Sequence, residues 1–271
     1  MIVIESEKCK RDGICAQECP LSLISWSKGE MPEMVQDADN RCVACGHCLA
    51  VCPQQALSLE GMPVIDCQHV NKKELPTADQ VEHFMKTRRS IRIYQKKNVS
   101  REMVERLLGI AGYAPSVHNS QPVSWLVVDD REKIQRLNHY VVEWMSMVMA
   151  QNSEMAKALH FDQIIEAAER GEDRVSREAP CMVMAYAPAD SPVGPAACLI
   201  AATYLELAAY GLGLGACWAG YFNVAAGGYP PMEAELGLPE GQKVFASMMI
   251  GYPKLQYYVV PKRIEPRVSW L

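Results

Sequence analysis

The sequence predicts a two-domain protein of α+β class: a small cysteine-rich module over residues 1–67, a linker over 68–80, and a larger domain over 81–271. Three observations carry this. Eight of the eleven cysteines fall within the first 67 residues (Cys9, Cys15, Cys19, Cys42, Cys45, Cys48, Cys52 and Cys67), and only Cys181, Cys198 and Cys217 follow. Residues 68–80, QHVNKKELPTADQ, are polar and include a proline, as linkers do. From Val81 onward, helical periods interleave irregularly with short apolar runs, without repeats or low-complexity segments.

Composition narrows the field. With 49% hydrophobic and 22% charged residues, the chain of 271 residues is of ordinary globular type. Its net charge, 27 − 32 = −5, offers no global basic surface, so neither nucleic acid nor an anionic membrane is an expected partner. The most apolar stretch, 194–222, carries Glu206 and several glycines, and reads as a buried helix and a turn rather than a span. The N-terminus, MIVIESEKCK, lacks a basic start and a long apolar stretch, so secretion is not expected. A cytoplasmic location follows, where clustered cysteines hold metal more often than they form disulfides.

Within the module, residues 42–53 read C-V-A-C-G-H-C-L-A-V-C-P. The spacing C-x2-C-x2-C-x3-C-P is that of iron–sulfur binding. Three thiolates two residues apart wrap a tight loop around one cubane, and the fourth begins a helix and points away. A structural zinc site favours two separated C-x2-C pairs instead. Upstream, residues 9–20 read C-K-R-D-G-I-C-A-Q-E-C-P, the same pattern with Asp12 in the second place. Between the runs, 21–26 and 33–36 read as hairpin strands about the turn Lys28-Gly29-Glu30, and 1–4 pairs with 57–60 to close the module.

Both runs resemble those of the two-cluster bacterial ferredoxins, over about residues 1–60. In that family the fourth cysteine of each run serves the opposite cluster. The resemblance implies one [4Fe–4S] cluster on Cys19, Cys42, Cys45 and Cys48, and a second on Cys9, Cys15 and Cys52 with Asp12. A carboxylate suits iron in a sulfide cage less well than a thiolate. Either Asp12 ligates weakly, giving [4Fe–4S], or the iron is lost, giving [3Fe–4S]; as part of a D-G pair, Asp12 also reads as a plain turn residue. Lability of this cluster is the expectation. His47 reads as a surface residue able to tune potential through a hydrogen bond, and Cys67 as a free thiol.

In the larger domain, Ser100 caps a helix with Met103, Leu107, Leu108 and Ala111 on one face. Residues 125–128 and 182–186 read as buried strands. Asp129 and Asp130 cap a long helical region reaching about Ala168, with a break at 151–153. A helix over 196–210 is closed by Gly211, and 243–250 is a further strand. Three segments carry chemistry. Arg88, Arg89, Ser90 and Arg92, in T-R-R-S-I-R, offer guanidinium forks and a hydroxyl suited to phosphate, or a solvated basic face. Residues 114–122, A-P-S-V-H-N-S-Q-P, form a proline-fixed loop that projects Ser116, Asn119 and Gln121 and suits a planar heterocycle, or a structured turn. Residues 210–220, Y-G-L-G-L-G-A-C-W-A-G, are not a dinucleotide fingerprint, because the glycines follow a helix. Their number points to a close approach of backbone to a ligand or another chain.

Taken in this order, and with Pro261 and Arg263 near the C-terminus, the segments resemble the nitroreductase family of FMN-dependent oxidoreductases over about residues 81–271. The resemblance implies an α+β sandwich with a central mixed sheet flanked by helices, and a homodimer with two FMN molecules at its interface. Arg88, Arg89, Ser90 and Arg263 would bind the phosphate and ribityl end. Ser116 and Asn119 would approach the same flavin from the partner subunit, and the turn with Gly215, Trp218 and Gly220 would lie near the phosphate or ring. Arg92 and Gln121 match family positions, with an internal structural role as the alternative. Lys262 directly precedes Arg263, and Arg267 competes for the same role. The segment 140–173 shapes the substrate pocket, with Met145, Met147, Met149 and Met155 either lining it or filling the core. His118 is either a proton donor to substrate or an outward-facing polar residue; otherwise the chemistry rests on flavin N5 and no protein nucleophile is expected. Cys198 and Cys217 read as packed rather than reactive.

Joined, the halves suggest an oxidoreductase passing electrons through the clusters to FMN and on to a nitroaromatic, a quinone or an activated alkene. Reduced ferredoxin or NAD(P)H is the donor. The alternatives are an electron carrier or redox sensor without small-molecule turnover, and reductive dehalogenation or flavin modification.

Overall fold

The computed structural model describes residues 2–271, which divide into two compact units. The first comprises everything up to Leu75 together with His118–Ser120; the second comprises Pro76–Val117 and Gln121–Leu271.

The first unit contains β1 (Ile2–Ile4), α1 (Ile14–Glu18), β2 (Ile24–Ser25), β3 (Glu33–Met34), α2 (Ala38–Arg41), α3 (His47–Ala50) and β4 (Leu57–Leu59). β1 pairs antiparallel with β4, Ile2 opposite Leu59, which closes the unit as expected; Met1 of the expected strand lies outside the described residues. The expected hairpin forms with only two residue pairs, Ile24 with Met34 and Ser25 with Glu33. Ser22 is left-handed (φ 52°), so the first strand cannot extend back towards Leu21. A glycine with left-handed backbone precedes each short helix: Gly13 (φ 71°) before α1 and Gly46 (φ 74°) before α3. At Gly13 a Cβ would fall 2.3 Å from the Trp26 indole, so only glycine fits there. Ile24, Leu49, Leu57 and Leu59 form the small apolar core.

The second unit contains α4 (Ala78–Thr87), α5 (Arg101–Ala111), β5 (Ser124–Val128), α6 (Arg131–Ala150), α7 (Glu154–Ala158), α8 (Phe161–Glu169), β6 (Cys181–Pro188), α9 (Gly194–Gly211), β7 (Gly215–Trp218), α10 (Gly220–Ala226), α11 (Pro230–Leu236) and β8 (Gln242–Gly251). The strands form one sheet in the order β5-β6-β8-β7, with every pair antiparallel. The expected mixed sheet is corrected in this detail. β6 and β7 run the same way, but β8 inserts between them antiparallel to both. Both sheet faces are covered, as the α+β sandwich requires. Met182, Met184 and Met249 face α6, α8 and α10, whereas Val183, Ala185, Ala246 and Met248 face α5 and α9.

Several boundaries have clear causes. α4 begins inside the expected linker, because Thr77 and Gln80 form a reciprocal capping box. Ser100 Oγ accepts from Met103 N–H at 3.3 Å, and Asp130 Oδ1 from Lys133 N–H at 2.6 Å. The long helical region breaks at Gln151–Ser153 as expected and again before α8, where His160 is left-handed (φ 54°). Gly211 does not close α9 but lies within it; the left-handed stop is Gly213 (φ 75°). Within the glycine-rich segment 210–220, residues Gly215–Trp218 form a strand, not a turn. Ile91 N–H donates to the Ala216 carbonyl at 2.9 Å, and a Cβ on Gly215 would fall 2.4 Å from Ile91 Cγ1. The close approach inferred for these glycines is therefore met, at Gly215, by a segment of the same chain. Beyond the bridge between Tyr94 and Pro253, residues 254–271 have neither helix nor strand. Among the described residues no helix is long and apolar enough to cross a membrane.

Candidate functional site

In the first unit, one cavity of about 370 Å³, part of it open to solvent, is lined by Cys19, Cys42, Cys45 and Cys48 with apolar neighbours such as Leu23 and Met34. A second, of about 360 Å³, is lined by Cys9, Asp12, Cys15 and Cys52 with Lys10 and Gln54. The fold thus gathers eight residues from the two runs into two groups of four, each containing the last cysteine of the other run. The short helices are the reason: Cys15 and Cys48 lie one residue inside α1 and α3, while Cys19 and Cys52 lie just beyond their ends.

Burial raises the Cys15 thiol above its ordinary value and pushes Cys48 up to about 11. Both are therefore neutral thiols in the metal-free protein near neutral pH, and cluster assembly must displace their protons. Backbone N–H groups approach three sulfurs: Arg11 donates to Cys9 at 3.4 Å, Leu23 to Cys19 at 3.3 Å and Ala56 to Cys52 at 3.4 Å. Asp12 is exposed, and its Oδ1 accepts from Ile14 N–H at 3.2 Å. It both forms the turn and lines the second cavity, so the two sequence readings coexist. Among the described residues, no three His, Cys, Asp or Glu side chains are gathered about a point to hold a single metal ion. The thiols surround volumes instead, and soft sulfur donors around a volume fit an iron–sulfur cage. His47 is exposed; half-buried Cys67 donates from Sγ to the Pro63 carbonyl at 3.5 Å.

In the second unit, a cavity of about 1250 Å³, partly open, is lined by Thr87, Arg88, Arg89, Glu206, Tyr210 and Gly215, together with Leu255–Val260 of the C-terminal segment. Arg88 Nη1 meets Glu206 Oε1 at 2.7 Å, with side-chain exposures of 24% and 10%. Trp218 Nε1 donates to the other oxygen, Oε2, at 3.2 Å. Glu206 was singled out in the sequence only as a charge within an apolar stretch. A lone acid in an otherwise apolar helix needs a partner when buried, and that was the available signal. Arg89 makes no ion pair among the described residues. Two guanidinium groups and Thr87 in a partly open cavity fit a phosphate-bearing ligand by donor chemistry.

The other expected residues of this domain do not line the cavity. Ser90 is half-buried, and Arg92, Gln121, Gly220 and Arg263 are exposed. Ser116 Oγ accepts from Gln121 N–H at 2.9 Å, which closes the 116–121 loop. His118, Asn119 and Gln121 all have left-handed backbone (φ 50°, 53° and 44°), a concentration of strain unusual outside glycine. His118 is exposed. Asn119, grouped with the first unit, donates from Nδ2 to the carbonyls of Val43 at 3.3 Å and Ala44 at 3.0 Å. Met145 is fully buried in the core, whereas Met147 and Met155 are exposed. Cys181, Cys198 and Cys217 are buried; burial raises all three thiols, the first two to about 12.

Cysteine-lined cavities in one unit and an arginine-lined cavity in a helix-covered antiparallel sheet define a redox protein by class. The family model described as "4Fe-4S dicluster domain" matches residues 7–57, and the nitroreductase family model matches residues 85–252. The chain is 31% identical over 188 residues to a putative NADH dehydrogenase/NAD(P)H nitroreductase of Archaeoglobus fulgidus, covering 66% of this chain and 90% of that protein. It is 30% identical over 198 residues to an NADH dehydrogenase of Thermus thermophilus, covering 68% and 91%. In fold it is similar to a nitroreductase with bound FMN from Bacteroides fragilis, with a TM-score of 0.57 at 23% identity over 71% of this chain and 98% of that one. A BluB-like flavoprotein from Clostridium difficile gives 0.55 at 20% identity, covering 68% and 94%. The chain belongs to the nitroreductase family of oxidoreductases and carries a 4Fe–4S dicluster domain ahead of the catalytic one.

Proposed function

We propose that this protein is an iron–sulfur flavoprotein that collects electrons singly and delivers them in pairs to a small organic acceptor such as a nitroaromatic, a quinone or an activated alkene. The observation that carries the reading is the sorting of eight residues into two cavities within a chain of the nitroreductase family. Cys19, Cys42, Cys45 and Cys48 hold one [4Fe–4S] cluster. Cys9, Cys15 and Cys52 hold the other, with Asp12 at its weak corner as [4Fe–4S], or without the fourth iron as [3Fe–4S]. When bound, the clusters exchange single electrons and FMN exchanges one or two.

FMN-bound relatives of the same fold support FMN as the second cofactor. Arg89 offers its phosphate a bidentate partner, and the Glu206 carboxylate, which also accepts from Trp218 Nε1, orients Arg88 at one wall of the cavity. Ser90, Arg92, Ser116, Gln121, Gly220 and Arg263 complete the site on assembly of two chains. Exposed apolar residues on α9 (Leu199, Ile200, Tyr204) and along the C-terminal segment (Tyr258, Val259, Ile264, Trp270) support a homodimer. His118, exposed on its loop, is the available proton donor to an acceptor. The names of the relatives favour NAD(P)H as the electron source over reduced ferredoxin. The protein works in the cytoplasm.

Anaerobic purification with iron, sulfide and FMN counts, followed by stopped-flow reduction with each donor, tests the reading. Flavin bleaching by one donor and faster reoxidation by an organic acceptor than by oxygen is the expected outcome. Reduction by neither donor would overturn the electron-entry assignment. Reduction without acceptor turnover would leave an electron carrier or redox sensor.

A further inference from the structure

We propose that Asn119 is a positioning residue for the cluster loop between Cys42 and Cys45, and not a flavin ligand. The inference rests on the assignment of Cys42 and Cys45 to a cluster made above. The Asn119 carboxamide nitrogen lies 3.3 Å from the Val43 carbonyl and 3.0 Å from the Ala44 carbonyl, more than seventy residues away in sequence. Both partners are acceptors only, which sets the amide's orientation: its nitrogen must face them, and its two protons serve both.

Two consecutive carbonyls held by one side chain fix two consecutive planar peptide units. They thereby fix the N–H groups of Ala44 and Cys45, which lie in the backbone between two thiolates. Ala44 itself has φ 47°, a left-handed conformation that alanine leaves unless it is restrained. Arg11, at the matching place of the first run, is left-handed too (φ 55°), so the loop itself adopts this conformation. At Ala44 the two bonds from Asn119 hold the peptide units on either side of it. The supporting segment is stiff in turn: His118 and Asn119 are left-handed, and the Gln121 N–H to Ser116 Oγ bond at 2.9 Å closes the loop that carries them.

An amide whose carbonyl accepts a hydrogen bond is a better N–H donor, and donors around cluster sulfurs stabilise the reduced state and raise the potential. Releasing Val43 and Ala44 therefore lowers the potential of the all-cysteine cluster and loosens its iron. The Asp12-side cluster, whose expected ligands line the other cavity, is unaffected.

The test compares the full-length, cofactor-loaded protein with Asn119→Ala, Asn119→Gln and the double variant Asn119→Ala with Ala44→Gly. The readouts are redox titrations of both clusters followed by paramagnetic resonance, the rate of iron loss to a chelator, and bound FMN. Expected for Asn119→Ala are a shift of the all-cysteine cluster to lower potential, iron loss several-fold faster, and an unmoved second cluster with FMN unchanged. Ala44→Gly in that background restores slow iron loss, because glycine needs no restraint to stay left-handed; Asn119→Gln, which keeps the donor, falls between. Unmoved potential and iron loss, with or without loss of FMN, would overturn the inference while leaving the clusters in place. Wild-type protein without iron and sulfide would instead overturn the cluster assignment on which it stands. If Asn119→Ala alone does not fold, the double variant and Asn119→Gln still decide the matter.

Discussion

In the first unit, two runs of twelve residues supply the seven cysteines and Asp12 that line two cavities of nearly equal size, about 370 and 360 Å³. In the second, a cavity of about 1250 Å³ takes, of the residues expected to hold the flavin, only Arg88, Arg89 and Gly215. Ligands two or three residues apart on a short helix and its flanking loop are delivered by local backbone geometry alone. A nucleotide needs contacts from distant elements, and in a symmetric assembly from two chains. The first kind of site gathers its residues within one compact unit; in the second, Arg92, Gln121 and Arg263 are exposed and lie outside the cavity lining.

The largest expected effect probes the second kind. Arg88→Ala leaves the Glu206 carboxylate buried, with Trp218 as its remaining hydrogen-bond partner. Removing one partner of a buried pair costs about 3 kcal/mol. Glu206→Gln keeps an amide oxygen as acceptor where Glu206→Ala leaves both the Arg88 and Trp218 donors without one, so it costs less than Glu206→Ala. Denaturant unfolding of each variant, with bound FMN counted beside it, separates two roles. Lost stability with FMN retained makes Arg88 a structural partner of Glu206, and the phosphate then belongs to Arg89. Lost FMN with stability intact would place Arg88 on the ligand and break the contrast drawn between the two units.

How much was legible follows the same division. The pairing of β1 with β4, the caps at Ser100 and Asp130 and the break at Gln151–Ser153 were readable because short-range chemistry decides them. β7 was not. The family likeness implied a turn at Gly215–Gly220, but Gly215 begins a strand, and glycine is required there because Ile91 packs directly on it. The contact is 124 residues away in sequence, beyond any local pattern. Glu206 was missed as a site residue for the same reason, since its partners, Arg88 and Trp218, come from separate elements. The Asn119 bonds to Val43 and Ala44 had no sequence signal at all.

A smaller effect sharpens the contrast inside the first unit, where one cavity has four thiols and the other has Asp12 as its fourth corner. Asp12→Cys makes the two sites chemically alike, and air-exposed protein should then lose any [3Fe–4S] resonance. Asp12→Ala should make that resonance permanent. It should cost only roughly 0.5 kcal/mol of folding stability, the worth of one exposed hydrogen bond to Ile14 N–H. Two full cubanes in air-exposed wild-type protein would show that the carboxylate holds iron as firmly as thiolate does.

The smallest effect leaves stability untouched and asks only which sulfurs are available. Of eleven cysteines, seven line the two cavities, three are buried in the second unit, and Cys67 remains. A thiol reacts as thiolate, so exposure and ionisation both limit it. Cys181 and Cys198, pushed to about 12 by burial, stay neutral at pH 8, and Cys217 is raised in the same direction. The sign for stability agrees. A thiol whose value is raised in the folded state contributes stability below its unfolded value near 9, and that stability is lost as pH climbs through 12. Native, cluster-loaded protein treated with an alkylating reagent at pH 8 should therefore gain one adduct per chain, at Cys67. Chelation of the iron should then open the cavity cysteines to the reagent, with Cys48 the slowest, because burial pushes its thiol up to about 11. A second adduct before chelation, mapped to Cys9, Cys15 or Cys52, would mean that the Asp12-side ligands exchange in solution, and the two cavities would then differ in occupancy as well as in donor.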